Sequence, residues 1–180
     1  MQIESTIRYL EMNDPHQLKP AGEPKVNARL EQVEVATPEL NRFFYTAVGG
    51  DWFWTDRLDW SYQQWESYLE NRHQQTWVVY AKGTPAGYFE LLKENIQVEL
   101  AYFGLLPQFT GLRLGGWLLS QAVKKAWTMD ATRIWVHTCS EDHPNALANY
   151  LARGFKIFDE EQKLIQLPSK PTGPWIGSRN

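Results

Sequence analysis

The sequence has a single cysteine and no long apolar run, and both absences limit what the protein can be. Cys139 has no partner for an intramolecular disulfide, which agrees with a reducing compartment. No apolar stretch approaches the roughly 20 residues that a membrane-spanning helix needs. Residues 1–5 lack the basic start and the apolar run of a secretory signal peptide. We therefore expect a cytoplasmic protein without a membrane partner.

The chain also lacks an excess of basic residues. Its 18 Lys and Arg residues against 21 Asp and Glu residues give a net charge of −3. Because nucleic-acid binders depend on a basic surface, we expect no nucleic-acid partner. A mildly acidic surface favours cationic small molecules or peptides instead.

Two kinds of catalytic site are missing as well. No spacing of His, Cys and Asp residues resembles a metal site, so we expect no metal. No Ser-His-Asp pattern indicates nucleophilic catalysis. The chain has no internal repeat, no low-complexity segment and no linker, and its 180 residues suit one α/β domain.

The most informative stretch is residues 96–129, which reads as a strand, a glycine turn and a helix. The pattern places Val98, Leu100 and Tyr102 on one face of the strand. Gly111, Gly115 and Gly116 bring main-chain N–H groups close to the start of the helix. That arrangement suits either a phosphate site or close packing of helix and sheet. The residues after Gly115 do not fit a mononucleotide P-loop, and the glycine spacing does not fit a dinucleotide fingerprint.

The remaining pattern predicts further strands and helices around this unit. We expect strands at 3–12, 29–35, 76–81, 86–92 and 133–139, a terminal strand pair at 155–158 and 164–167, and helices at 38–49, 61–71 and 144–153. Thr37 and Ser61 are expected N-caps, and Ser61 with Gln64 forms a capping box. Gly154 is expected to end the last helix.

An aromatic-rich loop precedes the second helix. The chain has nine Trp residues, and Trp52 and Trp54 lie beside Asp56 in this loop. These side chains either form a wall for a cationic substrate or fix the helices onto the sheet. Trp60 and Trp65 occupy the positions of a hydrophobic staple, so we interpret them as packing residues.

Residues 145–155 resemble the late motif of the GNAT superfamily of acyl-CoA-dependent N-acyltransferases. Asn145, then Ala148, Tyr150 and the pair Gly154-Phe155 carry the resemblance. Residues 104–119 resemble the cofactor motif of the same family, and the element order is similar over residues 28–167. The resemblance implies an α/β (α+β) fold: a mixed, mainly antiparallel central sheet, splayed near its middle, with helices on both faces. It makes residues 1–180 a single acyl-CoA N-acyltransferase domain.

The resemblance also implies a cofactor site for acetyl-CoA as cosubstrate. Main-chain groups of residues 103–105 would pair with the pantetheine arm, amides of residues 111–116 would hold the pyrophosphate, and Asn145 would contact the arm. The full set is Phe103, Gly104, Leu105, Gly111, Leu112, Arg113, Leu114, Gly115, Gly116 and Asn145. Thr110 and Arg113 depart from the family pattern. Arg113 is expected in an unstrained helical first turn, where it is either a phosphate ligand or a solvated surface residue.

Two residues are candidates for proton transfer. Glu99 precedes Thr110 at the spacing seen for the catalytic glutamate in histone-type members, and Tyr150 matches the position of the acidic tyrosine. Otherwise Glu99 is a solvated strand residue and Tyr150 is amphipathic core. His137, at the expected splay, is a further candidate base or acceptor-pocket residue. With Trp52, Trp54 and Asp56 it completes the candidate substrate site.

The implied function is an N-acetyltransferase that moves an acetyl group from acetyl-CoA to a primary amine by direct attack. The acceptor would be a small molecule or a peptide, and the sequence does not identify it. A catalytically inactive CoA-binding sensor and an aromatic ligand-recognition module are the alternatives. The sequence fixes neither the acyl-chain length nor the oligomeric state, for which a homodimer is one option.

Overall fold

Seven strands form one sheet with the order β2-β3-β4-β5-β6-β1-β7 in a computed structural model, which describes residues 1–175 and 177–178. The strands are β1 (Gln2–Met12), β2 (Ala28–Gln32), β3 (Gln74–Ala81), β4 (Thr84–Glu94), β5 (Gln97–Leu105), β6 (Arg133–Cys139) and β7 (Lys156–Gln166). The helices are α1 (Pro38–Gly49), α2 (Tyr62–Leu69), α3 (Leu114–Trp127) and α4 (Ala146–Ala152). β5 and β6 run parallel and the other neighbouring strands run antiparallel, so the predicted fold class is confirmed.

The parallel strands β5 and β6 stay paired over only part of their length. Their register joins Gln97 to Arg133 and ends where Glu99 meets Trp135. β5 continues to Leu105 and β6 to Cys139, so the two strands diverge beyond this point. This is the expected splay near the middle of the sheet, and it opens a space between the strands.

The N-terminal strand lies inside the sheet. β1 pairs antiparallel with β6 on one side and with β7 on the other. The predicted terminal pair, 155–158 with 164–167, is therefore wrong: residues 156–158 and 164–166 belong to the single strand β7, and its partner is β1. The ammonium group of Met1 donates a 2.7 Å hydrogen bond to the Leu167 carbonyl and ties down the start of β1.

Helices cover both faces of the sheet. On one face α3 buries Leu114, Leu118 and Leu119 against the strands. On the other, α1 places Phe44 and Val48 in a second cluster with strand residues. Burial of these apolar side chains supplies the main driving force for the fold.

The predicted helix termini are mostly confirmed. Thr37 caps α1, and Ser61 with Gln64 forms the capping box of α2. The rings of Trp60 and Trp65 pack 5.1 Å apart, as expected for a staple. Gly154 has φ of +101° just past α4.

Some bounds differ from expectation. α2 ends at Leu69 and β2 at Gln32, each earlier than predicted. In the described part of the chain, no helix is long and apolar enough to span a membrane.

A bulge in β5 changes which way one side chain points. The register of β4 against β5 shifts between Glu90 and Leu91, where Tyr102 and Leu100 are the partners. Val98 and Leu100 pack in the α3-side core, whereas Tyr102 packs against the α1-side cluster. The expectation that Tyr102 shares a face with Val98 and Leu100 is therefore wrong, because an extra residue in a strand reverses the alternation beyond it.

Candidate active site

A cleft of about 780 Å³ lies where β5 and β6 diverge. One end is formed by the start of α3, at residues 111–116, and we call it the glycine end. The other is formed by residues 52–56 together with residues 141–143, and we call it the aromatic end. Tyr150 and residues 100–105 of β5 line the cleft between the two.

The glycine end offers main-chain donors. Gly111 has φ of +76°, a conformation that glycine adopts without strain. No side chain caps the start of α3. Since the first N–H groups of a helix have no partner within it, this terminus suits an anion such as a phosphate.

Arg113 occupies the N-cap position of α3 with φ of +59° and ψ of 10°. The expectation of an unstrained helical first turn is therefore wrong. For a residue with a side chain, the left-handed conformation costs about 1–2 kcal/mol. Arg113 nevertheless lines the cleft, directly before the free amides of α3 in the chain.

A second, smaller pocket of about 480 Å³ adjoins the glycine end, and Arg113, Arg153, Gly116 and Asn149 line it. The Nε atom of Arg153 is buried without a hydrogen-bond partner among the described residues. The sequence analysis missed Arg153, although it stands inside the late motif, just before Gly154. Two guanidinium groups at one pocket favour an anionic ligand.

The cofactor-binding candidates mostly lie together. Phe103, Gly104, Leu105, Gly111, Arg113, Gly115, Gly116 and Asn145 line the cleft. Leu112 and Leu114 differ, because their side chains pack in or against the core. Only main-chain groups of those two leucines could contact a bound molecule.

Tyr150 of α4 lies with only 6% of its surface exposed, between the rings of Phe103 and Phe155. It lines the cleft, and its hydroxyl has no hydrogen-bond partner among the described residues. Burial raises the pKa of this tyrosine far above its usual value. A hydroxyl that faces a cleft without a protein partner is free to form a hydrogen bond with a bound molecule.

Glu99 and His137 form a pair across the parallel strands. Glu99 Oε1 lies 3.7 Å from His137 Nδ1. His137 lines the cleft, whereas Glu99 lies behind it. The Glu99 carboxylate raises the pKa of His137, and burial of the imidazole opposes that effect. Glu99 therefore contacts His137, and His137 lines the cleft.

The aromatic end depends on a tight turn after α1. The amides of Trp52 and Trp54 both donate to the Gly49 carbonyl, at 2.8 and 3.2 Å. A Cβ on Gly49 would lie only 2.1 Å from the Trp54 ring, so glycine is required there. Phe53 has φ of +57°, which a bulky residue adopts only when its surroundings hold it.

Contacts across the cleft join this turn to the loop before α4. Trp54 Nε1 donates a 3.4 Å hydrogen bond to Asp142, and the Trp52 ring packs against His143 at 4.9 Å. The sequence analysis did not assign Asp142 or His143 to the site. These loops are far apart in the chain, so no local pattern could have joined them.

Asp56 is held by two tyrosines: Tyr45 donates at 2.7 Å to one oxygen, and Tyr102 donates to the other. The bulge in β5 turns Tyr102 toward this loop. The next residue, Arg57, is buried in an ion pair with Glu90 at 3.0 Å. Arg57 directly follows Asp56 in the chain, so this buried pair anchors that part of the loop in the protein interior.

No group of three or more His, Cys, Asp or Glu side chains is placed to hold a metal within the described ranges 1–175 and 177–178.

The model of the Acetyltransferase (GNAT) family matches residues 35–155, which is more than half of the chain. The chain belongs to this family. The matched range contains both ends of the cleft, the Glu99–His137 pair and Tyr150. Among curated proteins, none matches the chain in sequence.

Solved structures show the same fold at low identity. A GCN5-related N-acetyltransferase from Sphaerobacter thermophilus superposes with a TM-score of 0.67 at 12% identity. The superposition covers 94% of this chain and 54% of the Sphaerobacter chain. A GCN5-related N-acetyltransferase from Kribbella flavida has a TM-score of 0.63 at 18% identity, covering 88% of this chain and 57% of its own. This GNAT chain therefore spans little more than half the length of either protein.

A Bacillus subtilis acetyltransferase, solved in complex with CoA, has a TM-score of 0.55 at 23% identity. The superposition covers 72% of this chain and 77% of the Bacillus chain. These likenesses concern the fold. For the CoA-type ligand that the family implies, this chain itself has suitable groups: the free start of α3, the buried Nε of Arg153 and the unpaired Tyr150 hydroxyl.

Proposed function

We propose that the protein transfers an acetyl group from acetyl-CoA to a primary amine. The observation that carries the proposal is the Tyr150 hydroxyl, which has no partner among the described residues and lines the cleft between a phosphate-compatible helix terminus and an aromatic end. An acyl-CoA has a phosphate-bearing end and a reactive thioester, and a cleft with two chemically different ends suits that division. The acceptor amine enters from the aromatic end.

Cofactor binding falls to the glycine end. The free amides at the start of α3 hold the pyrophosphate, and Arg113 and Arg153 add cations for the phosphates. Main-chain groups of Phe103, Gly104 and Leu105 face the pantetheine arm, and Asn145 contacts it from the start of α4. Bound acetyl-CoA supplies the activated acyl group.

The chemistry requires two proton transfers. The amine nitrogen attacks the acyl carbon only when neutral, so a base must remove its proton. His137 takes that role: Nδ1 faces Glu99, which leaves Nε2 for the amine, directly or through water. As the new C–N bond forms, the C–S bond breaks and Tyr150 gives its proton to the sulfur. Glu99 orients the imidazole and stabilises its protonated form.

Isothermal titration with acetyl-CoA, CoA and desulfo-CoA tests the cofactor site. We expect micromolar binding, weakened at least tenfold by Gly115→Leu, since a Cβ at Gly115 already comes within 3.7 Å of Leu105. Gln121→Leu adds the same side chain to α3 outside the cleft and should leave binding unchanged.

Thiol release with a panel of amines then tests the transfer itself. Release that depends on the amine supports the proposal. Absence of CoA binding would refute the proposed function, and binding without release to any amine would favour an inactive CoA-binding protein.

A further inference from the structure

The aromatic end of the cleft carries a strong excess of negative charge. Asp56, Glu141 and Asp142 all line it. The only Lys or Arg residue among the described lining residues is Arg113, at the opposite end. A ligand at the aromatic end therefore meets three carboxylates and no Lys or Arg side chain from the cleft wall.

Neutral donors satisfy these carboxylates. Glu141 accepts hydrogen bonds from the hydroxyls of Ser5 and Ser140. Asp142 accepts from the Thr138 hydroxyl, the Trp54 indole and the Cys139 amide, and the Cys139 bond is 3.1 Å long. Among the described residues, Asp56 accepts side-chain hydrogen bonds from Tyr45 and Tyr102 alone. Within the described residues, no Lys or Arg forms an ion pair with any of the three. Hydrogen bonds from neutral groups do not cancel the negative charge of a carboxylate.

Nearby cations do not compensate. The guanidinium of Arg57 is neutralised by Glu90, at 3.0 Å, and is enclosed by rings, with Tyr68 and Tyr102 at 4.0 and 4.3 Å from its centre. His137 faces Glu99, so its charge when protonated is also matched. The three cleft carboxylates remain the unbalanced charges of the aromatic end.

The rings at this end suit a cation as well. Trp52, Phe53 and Trp54 line the cleft together with Tyr102. Indole and phenyl faces attract ammonium groups, most strongly where water is excluded. A concave site of one charge sign also concentrates ligands of the opposite sign.

We propose that the acceptor carries a second cationic group besides the amine that reacts, as a diamine or polyamine does. This rests on the proposed function. The reacting nitrogen must become neutral at His137, so its charge cannot be what the three carboxylates neutralise. A second ammonium group, which stays charged throughout the reaction, matches them. An acceptor with its own carboxylate, such as an amino acid, is disfavoured because no described Lys or Arg side chain lines this end to receive it.

Three acceptors of one chain length test the charge preference: 1,5-diaminopentane, pentylamine and 5-aminopentanoate. They present a cation, a methyl group and an anion at the same distance from the reacting amine. With saturating acetyl-CoA, we expect kcat/KM for thiol release to be at least tenfold higher for the diamine than for pentylamine. The value for 5-aminopentanoate should be lowest. The preference for the diamine should shrink as salt is raised.

Isosteric variants assign the effect to the carboxylates. Asp56→Asn and Glu141→Gln keep the shape of the side chain and one acceptor oxygen but remove the charge. The new NH2 group can donate to the second neighbouring hydroxyl, which can accept as well as donate. Each substitution should raise KM for the diamine by about three- to tenfold more than it raises KM for pentylamine. Asp59→Asn is the matched control, because Asp59 is exposed in the same loop but does not line the cleft.

A binding measurement separates this inference from the proposed function. Quenching of tryptophan fluorescence by the three compounds can be followed in the protein without acetyl-CoA. Tighter binding of the diamine, lost in Asp56→Asn, supports the charge preference even if no transfer occurs. Equal binding and equal kcat/KM for the diamine and pentylamine, or preference for 5-aminopentanoate, would overturn it while leaving the acetyltransferase proposal intact.

Discussion

His137 stands between Glu99 and the cleft, with its Nδ1 3.7 Å from Glu99 Oε1. The His137 side chain is 49% exposed and that of Glu99 only 19%. The two strands that carry them remain paired at Glu99 and separate beyond it. Thus the carboxylate lies at the last paired position before the strands diverge, and the imidazole on the diverging strand lines the cleft.

This relationship predicts how Glu99→Gln changes the pH profile. His137 accepts a proton only when neutral, so kcat/KM should rise as pH increases through the pKa of His137. The Glu99 carboxylate raises that pKa. Its removal should therefore move the acidic limb of the profile to lower pH.

The measurement is kcat/KM against pH for the wild type, Glu99→Gln and His137→Gln. His137→Gln should lose the limb and at least about 100-fold in kcat, the range for a general base. An acidic limb that stays in place or moves to higher pH in Glu99→Gln would contradict this arrangement.

Tyr150→Phe should lower kcat and leave CoA affinity unchanged. The hydroxyl has no partner to lose, so we expect stability within about 1 kcal/mol of the wild type. Loss of a general acid predicts a reduction of about 100-fold or more in kcat. Because burial raises the pKa of Tyr150 well above its usual value, the wild type should show no alkaline limb from this residue at ordinary pH.

Tyr88→Phe is the matched control for this variant. Tyr88 also has a buried hydroxyl without a partner in the described structure, but it lies in the α1-side cluster and not in the cleft. Steady-state kinetics and CoA titration of both variants give the comparison. Equal losses of kcat in the two would mean that Tyr150 acts through packing and not through its proton.

Local patterns predicted the elements that position the site. Thr37 and Ser61 mark helix starts because capping depends on residues a few positions apart. Helix α3 and the strand before it were predictable because their apolar residues follow local periodic patterns. Tyr150 and His137 were therefore placed on the correct elements, and the structure brings them to one cleft.

Features that depend on distant parts of the chain were not predictable in this way. Strand β7 is an edge strand with Asp159, Glu160 and Glu161 near its centre. These charged residues interrupt the apolar pattern, so the sequence predicts two short strands there and not one long strand. Charged residues are common on edge strands because they discourage further pairing. The bulge that redirects Tyr102 and the left-handed conformation of Arg113 likewise depend on tertiary packing.

Arg57→Ala should destabilise the fold strongly. It would leave Glu90 buried, fully enclosed and without its cation, although Asn41 and Tyr68 would still donate to it at 2.8 Å each. Breaking a buried ion pair from one side costs about 3–5 kcal/mol. Arg29→Ala breaks the exposed pair with Glu31 and should cost no more than about 1 kcal/mol. Urea unfolding followed by tryptophan fluorescence measures the free energy of unfolding of both variants. Similar losses of that free energy would show that the buried pair contributes no more to stability than the exposed one.

Removal of residues 1–13 should unfold the protein although they lie outside the range matched by the family. β1 fills the gap between β6 and β7, and Leu10 and Met12 are fully buried in the core. Without it, two strands lose their hydrogen-bond partner and the core is exposed. We therefore expect the truncated chain to show no cooperative unfolding transition and no CoA binding.

A synthetic peptide of residues 1–13 should restore both properties to the truncated chain, because the gap in the sheet accepts one strand with a defined register. The same peptide with Leu10→Asp and Met12→Asp keeps the main-chain donors but cannot enter the core, so it should fail. Thermal unfolding and CoA titration give the result. A truncated chain that folds and binds CoA without any peptide would show that β1 is an accessory strand, and that β6 and β7 can pair without it.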